Sequence, residues 1–369
     1  MSEPTDSARD VLVDAARFFR NQLADSWVPD YLVSRGLGCA LRYRWGTGYA
    51  PDGWQTLIEA LNLAGHTDTA IEASGLGARG KNGRLYARFR DRVVFPIRDG
   101  SGQLVGFIGR THPDAEPDVP KWLNPPQTVL YNKSDQLYGI HEGLKALQTG
   151  ATLVVVEGVL DAIAITEAGK GAMVGVASCG TALTRAHVEI IEAVAQGPVA
   201  VAYDPDQAGR KATARSWKTL HAAGIDAIQA DLPGGEDPAL TLQLHGPAVL
   251  VEAITARARP LVQAALQAAI EPWIDQLDEV EARVAAMRST IGILAHLEPA
   301  AAAEQMVQLA GQLGIAVEAL TGDGGWLDEL TAARPTSRGW FPRRLGVSCV
   351  AGTGLVATPL PDQRTTLLP

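Results

Sequence analysis

The sequence predicts an α/β fold: a doubly wound, mostly parallel sheet flanked by an N-terminal α+β subdomain and a C-terminal helical bundle. Three observations carry this. From 151 to 230, short continuous apolar runs alternate with stretches of helical spacing, as in a parallel sheet covered on both faces. Upstream, helical spacing gives way to two strands joined by a hairpin turn. Downstream, residues 246–333 are rich in Ala and Leu at helical spacing.

Taken in order, Val11, Leu12, Ala15, Phe18, Phe19 and Leu23 recur at helical steps within 9–35, and a second helix is expected around Trp54–Leu63. A Gly-rich loop, Gly75 to Gly83, follows. Arg92–Arg98 and Gln103–Arg110 read as strands joined by the turn Asp99-Gly100-Ser101-Gly102. The α/β unit then runs as strands at Thr152–Val156, Ala172–Ala177, Val199–Tyr203 and Asp226–Ala230. Helices between them fall near Leu160–Ala168, Thr184–Val194 and Gln207–Ala223. The expected domains are 1–145, 150–245 and 246–333, with 334–369 a disordered tail rich in Pro, Gly, Thr and Arg.

The chain has 369 residues, 46% apolar and 20% charged, a globular composition that suits two or three small domains. No apolar run approaches the roughly 18 residues that span a bilayer, and the polar start MSEPTDSARD carries no secretory signal. Cys39, Cys179 and Cys349 form no CxxC pair, so neither a disulfide framework nor a zinc ribbon is expected, and a cytoplasmic setting is the simplest. The net charge of −9 argues against indiscriminate nucleic-acid binding, but it is unevenly placed. Residues 81–133 hold nine Lys/Arg against five acids, and residues 151–240 hold eleven acids against six Lys/Arg. A basic segment followed by an acidic one suits a site that grips a polyanion and also holds divalent cations.

The candidate chemistry lies at strand ends. Val154-Val155-Val156-Glu157-Gly158 ends an apolar strand on a carboxylate, and Asp161 stands one helical turn later. Val201-Ala202-Tyr203-Asp204-Pro205-Asp206 ends another strand on two carboxylates two residues apart, on one side of an extended chain. Gly234-Gly235-Glu236-Asp237-Pro238 is an acidic loop after the fourth strand. In open α/β sheets ligands bind beyond the carboxyl ends of the strands, and hard divalent cations such as Mg²⁺ take oxygen ligands of this kind. Alone, each element also suits solvated carboxylates at a helix start. Their ordered combination favours a site.

This pattern resembles the Toprim domain, shared by primases, topoisomerases, OLD-type nucleases and recombination proteins. Finer motifs narrow the resemblance to bacterial DnaG-type primases: Arg88-Phe89-Arg90-Asp91-Arg92-Val93-Val94-Phe95-Pro96-Ile97-Arg98-Asp99, Gly106-Phe107-Ile108-Gly109-Arg110, Lys121-Trp122-Leu123-Asn124 and Gln136-Leu137-Tyr138-Gly139. Ala177-Ser178-Cys179-Gly180-Thr181 and Tyr203-Asp204-Pro205-Asp206-Gln207-Ala208-Gly209-Arg210 add to it. The resemblance covers about residues 10–320.

It implies synthesis of short RNA primers on a single-stranded DNA template from NTPs. Glu157 is then the general base or acid, and Asp204 and Asp206, with Asp161 and Asp237 as further candidates, hold Mg²⁺ or Mn²⁺. Arg110, Lys121, Trp122, Asn124, Lys133, Arg88 and Arg90 are expected to contact template or nucleotide. Two departures stand out: Ala239 occupies a position where the family carries a second aspartate, and Trp122 replaces its usual tyrosine while keeping a stacking face. The resemblance also implies a core without the family's zinc-binding and helicase-binding domains, so a replicative helicase or a separate zinc-ribbon protein is an expected partner. A Toprim-type nuclease and a non-catalytic single-strand-binding accessory protein are the alternatives.

Gly75-Leu76-Gly77-Ala78-Arg79-Gly80-Lys81 fits a phosphate-binding loop, but Asn82 replaces the metal-holding Ser/Thr and the strand–loop–helix context is missing. His187, with no Cys or His at ligand spacing, reads as a plain surface histidine.

Overall fold

Apolar patterning sorts the first two-thirds of the chain onto two sheets. The structure, a computed structural model, describes residues 3–180, 182–204, 206–316, 330, 333, 345–350 and 354–359. In the N-terminal part, α1 (Glu3–Asn21), α2 (Val28–Ser34), β1 (Gly48–Ala50), α3 (Thr56–Leu63), α4 (Asp68–Ala73), β2 (Gly77–Arg79), β3 (Leu85–Ala87), β4 (Arg92–Arg98), β5 (Leu104–Thr111) and β6 (Trp122–Leu123) follow one another. An antiparallel sheet in the order β1-β4-β5-β6 is formed, with Val93 opposite Arg110 and Arg110 opposite Trp122. Phe19, Leu57, Leu61, Ile71, Phe89 and Phe107 are buried in one core of this part. The glycine-rich stretch expected as a loop forms the β2–β3 hairpin, because Gly77 sits where a side chain would press on Leu85 and Ile71.

Next come α5 (Ile140–Gln148), β7 (Thr152–Val156), α6 (Val159–Gly169), β8 (Met173–Ala177), α7 (Arg185–Val194), β9 (Val199–Val201), α8 (Gln207–Ala222), β10 (Ala227–Gln229), α9 (Pro238–Ile254) and β11 (Arg259–Pro260). The strands pair in the order β11-β10-β9-β7-β8, parallel except for β11 at one edge. At the opposite edge Tyr138 exchanges both backbone hydrogen bonds with Ala177, which joins the segment after the first sheet to the second. Buried charge adds to that junction: Glu142 pairs with Arg98 at 2.9 Å, and Glu167 accepts from Trp45 Nε1 at 2.9 Å.

Gly175 in β8 shows how closely helix and sheet approach. A Cβ there would overlap the Ala162 backbone of α6, and its N–H donates to Thr166 Oγ1 at 2.9 Å. Since backbone on both sides must give way, Gly175→Ala is expected to cost about 1–3 kcal/mol, the usual range for core overpacking. Urea unfolding checks this, and an unchanged midpoint at unchanged slope would contradict it.

Contacts divide the chain into two compact units, Met1–Leu261 and Val262–Pro369. Residues 246–254, expected to open the helical bundle, instead continue α9. The helix kinks at Gly246 (φ 81°), yet Leu250 and Ile254 beyond the kink are buried in the same core as Ile163 and Ile165 of α6. The second unit is built from α10 (Leu261–Ile270), α11 (Val280–Leu294) and α12 (Pro299–Leu313), around Leu266, Met287, Leu294, Met306 and Leu309. The tail expected to be disordered is corrected in part. Leu345–Val350 and Gly354–Pro359 pair as antiparallel strands β12 and β13, a pairing that suits their valine content; the rest of 334–369 lies outside the described residues. Among the described residues no helix is long and apolar enough to cross a membrane.

Candidate nucleotide and metal site

Three strand ends and the first sheet meet at one cavity of about 320 Å³, lined on one side by Glu157, Asp161, Asp204 and Asp237, and on the other by Arg35, Arg110, Lys121, Trp122 and Asn124. Glu157 leaves β7 directly, and α6 starts two residues later so that Asp161 turns back toward it. Asp204 follows β9. A Cβ at Gly209 would overlap the Asp204 carbonyl oxygen, so the tight passage from β9 into α8 requires glycine there.

The expected carboxylates divide by what already holds them. Asp206 caps α8, accepting from the Gly209 amide at 2.8 Å, and Asp237 caps α9, accepting from the Leu240 amide at 2.6 Å. Asp161 accepts from the Ala239 amide at 3.1 Å. Each of these commits one oxygen to the backbone. Glu236 turns aside to Thr241 and His245.

Charge accumulates without relief. Burial raises the Glu157 pKa, and the charges of Asp204 and Asp206 raise it further. Asp204 rises through burial, Asp237 and Asp206, against the pull of Lys121. Asp161 is pushed up to about 8 by burial and then by Asp237, against the hydrogen bond from Ala239; Asp204 and Glu157 add to the rise. Anionic oxygens held in this way would be relieved by a divalent cation, and hard oxygen donors suit one. Among the described residues no three His, Cys, Asp or Glu side chains are grouped to ligate a metal on their own. A cation here would therefore keep part of its water shell, as Mg²⁺ commonly does.

The basic wall is built around Arg110. Its guanidinium carbon lies 5.3 Å from the Tyr31 ring centre and 5.4 Å from that of Trp122. Burial lowers its pKa, against the pull of Tyr31, Asp237 and Asp161. Tyr31 and Arg35, carried by α2 and its C-cap, were not singled out from the sequence, where nothing separates them from an ordinary helix face. Asn124 contributes a buried Oδ1 that has no hydrogen-bond partner among the described residues.

Other expected contact residues do not line this cavity. Lys133 donates to the Gly180 carbonyl at 3.3 Å and so braces the loop after β8; Thr181 of that loop lies outside the described residues. Arg88 and Arg90 line a second cavity, of about 490 Å³, together with Tyr86, Asp91 and Arg92. There Arg90 stacks 3.8 Å over the half-exposed Trp54 ring, while Tyr86 meets Trp54 edge-on at 5.3 Å. His187 corrects the sequence reading. It is fully buried, accepting from the Thr184 amide through Nδ1 and reaching the Lys133 carbonyl through Nε2, because the turn at 133–135 covers the start of α7.

Comparison with known proteins follows the same division. Residues 18–144 match the family model of the DNA primase catalytic core, N-terminal domain, and residues 154–242 match a Toprim-like model. The RNA polymerase domain of Mycobacterium tuberculosis primase DnaG, solved with double-stranded DNA, is 32% identical, with 84% of this chain and 99% of that one covered and a TM-score of 0.70. A DnaG primase catalytic domain bound to single-stranded DNA is 28% identical over 85% of this chain and 98% of its own, also at TM-score 0.70. The DNA primase of Deinococcus radiodurans is 37% identical over 310 residues, 83% of this chain and 52% of the relative. For the Clostridium acetobutylicum primase the figures are 37% identity and 64% and 38% coverage, so the chain spans about half or less of these curated relatives.

Proposed function

Because this chain belongs to the family of DnaG-type primase catalytic cores, we propose that it joins ribonucleotides into short RNA on a single-stranded DNA template, with NTPs as substrates and pyrophosphate as the leaving group. The observation that carries the reading is the cavity with carboxylates on one wall and Arg35, Arg110 and Lys121 on the other. In such a reaction a 3′-hydroxyl attacks an α-phosphate. In this reading Glu157, whose pKa is raised by burial and by Asp204 and Asp206, takes the hydroxyl proton. Arg110, Lys121 and Arg35 hold the triphosphate. Asp204 and Asp206, with Asp161 and Asp237 as further candidates through their remaining oxygens, would hold Mg²⁺ or Mn²⁺. The bound cation supplies charge neutralisation at the phosphates. The Trp54–Arg90 stack offers a face for a template base. A cytoplasmic setting and, as partners, a replicative helicase or a separate zinc-ribbon protein belong to the same proposal.

Separate seats for template and nucleotide make a test. Trp54→Ala is expected to weaken single-stranded DNA binding about tenfold, since a stacked base is worth about 1–3 kcal/mol, and to spare ATP binding. Lys121→Ala is expected to do the reverse. Equal losses of both ligands in both variants would refute separate seats.

A further inference from the structure

Asp91 lines the second cavity in a conformation that side chains rarely adopt, with φ at 45°. Its Oδ1 accepts from Trp27 Nε1 at 2.7 Å and from Tyr49 Oη at 2.9 Å. Trp27 is the N-cap residue of α2, which has no side-chain cap hydrogen bond of its own. The Trp27 ring meets Tyr31 edge-on at 5.5 Å, and Tyr31 in turn faces the Arg110 guanidinium. Among the described residues the buried Tyr31 hydroxyl has no hydrogen-bond partner, so ring contacts rather than a polar tether set where this side chain sits. The same short helix ends on Arg35, which lines the carboxylate cavity. One carboxylate thus fixes the start of an element whose later residues present one aromatic wall and one cation to the nucleotide seat.

We propose that Asp91 is a positioning residue for nucleotide binding, acting through Trp27 on the placement of Tyr31, Arg110 and Arg35. The proposal rests on the reading of Arg110 as a triphosphate contact. A positive φ kept at this position, where glycine would be unstrained, is consistent with a carboxylate that the site needs.

The test compares Asp91→Gly, Asp91→Asn, Trp27→Phe, the Asp91→Gly/Trp27→Phe double variant and Arg110→Ala. ATP affinity with Mg²⁺, single-stranded DNA affinity and melting temperature are measured for each. Asp91→Gly removes the acceptor and relieves the backbone. It is expected to weaken ATP binding about tenfold, in keeping with the loss of a hydrogen bond to a charged group, while DNA affinity stays within about twofold. Asparagine tolerates the left-handed region and still presents an acceptor oxygen, so Asp91→Asn should bind ATP within about threefold of the parent. Trp27→Phe keeps a ring without the donor. Its effect on ATP binding should not add to that of Asp91→Gly, because both remove the Trp27–Asp91 bond. An unchanged ATP affinity in Asp91→Gly beside a weakened one in Arg110→Ala overturns the proposal alone. An unchanged affinity in Arg110→Ala overturns the nucleotide reading, and the proposal with it. Independent, additive effects of Trp27→Phe and Asp91→Gly, or parallel losses of ATP and DNA binding, also overturn it.

Discussion

Replacing Glu157 with glutamine is expected to lower RNA synthesis by about 10²–10⁴-fold, the usual contribution of a positioned acid or base, while single-stranded DNA binding stays within about twofold. Glutamine keeps the shape at the end of β7 but can neither take a proton nor carry charge. The raised pKa of Glu157 comes from burial and from Asp204 and Asp206, so the substitution also relieves repulsion and should not destabilise the fold. Initial rates on a defined template, read beside melting temperature and DNA affinity, separate these effects. Synthesis at the parental rate would remove Glu157 from the reaction. A parallel fall in DNA affinity would place it in the template path instead.

Asp161→Asn is expected to stabilise the metal-free protein, increasingly so as pH rises. In the folded chain the Asp161 carboxyl titrates at about 8, against an ordinary value of 3.8. Between those values the folded state keeps a proton that the unfolded state has lost, so the contribution of this group is fully present below about pH 4 and is lost as pH rises through 8. The limiting slope is about 1.4 kcal/mol per pH unit, an upper bound because nearby carboxylates titrate with it. Asparagine can still accept the hydrogen bond from the Ala239 amide and has no proton to lose. Urea unfolding at pH 5 and pH 8 without divalent cations should show a larger gain over the parent at the higher pH. Added Mg²⁺ should stabilise the parent more than the variant. A gain equal at both pH values, or a Mg²⁺ response unchanged by the substitution, would take Asp161 out of the charged cluster.

The carboxylates were legible because the signal is local. An apolar strand that ends abruptly on Glu157 or Asp204 places its side chain at the edge of the sheet whatever surrounds it. What holds the carboxylates was not legible. The capping bonds of Asp206 and Asp237, and the Ala239 amide at Asp161, depend on how α8 and α9 begin. Lys133 and His187 show the same limit. Both are defined by a turn folding over the start of α7, a contact more than 45 residues long in sequence. Motif membership grouped Arg88 and Arg90 with Arg110, although the connection from β3 to β4 carries them to one cavity and β5 carries Arg110 to another. The change to Ala- and Leu-rich spacing at 246 reads as a domain boundary, but the chain only kinks there, because Leu250 and Ile254 still find apolar partners against α6. Tyr31 and Arg35 carry no local signature at all, and Asp91 reads only as one member of a motif; their placement is set where α2 meets the first sheet.

The proposed reaction is tested most directly by incubating the chain with single-stranded DNA and labelled NTPs, with and without Mg²⁺ or Mn²⁺, and resolving both strands by length. New short RNA that requires the template and the cation, together with intact DNA, is the expected result. Shortened DNA would mean that the same carboxylates serve hydrolysis. Retarded DNA with neither RNA nor cleavage, with the metals supplied and with a helicase and a zinc-ribbon protein of the same replication system added, would mean that the chain binds single strands and does not catalyse.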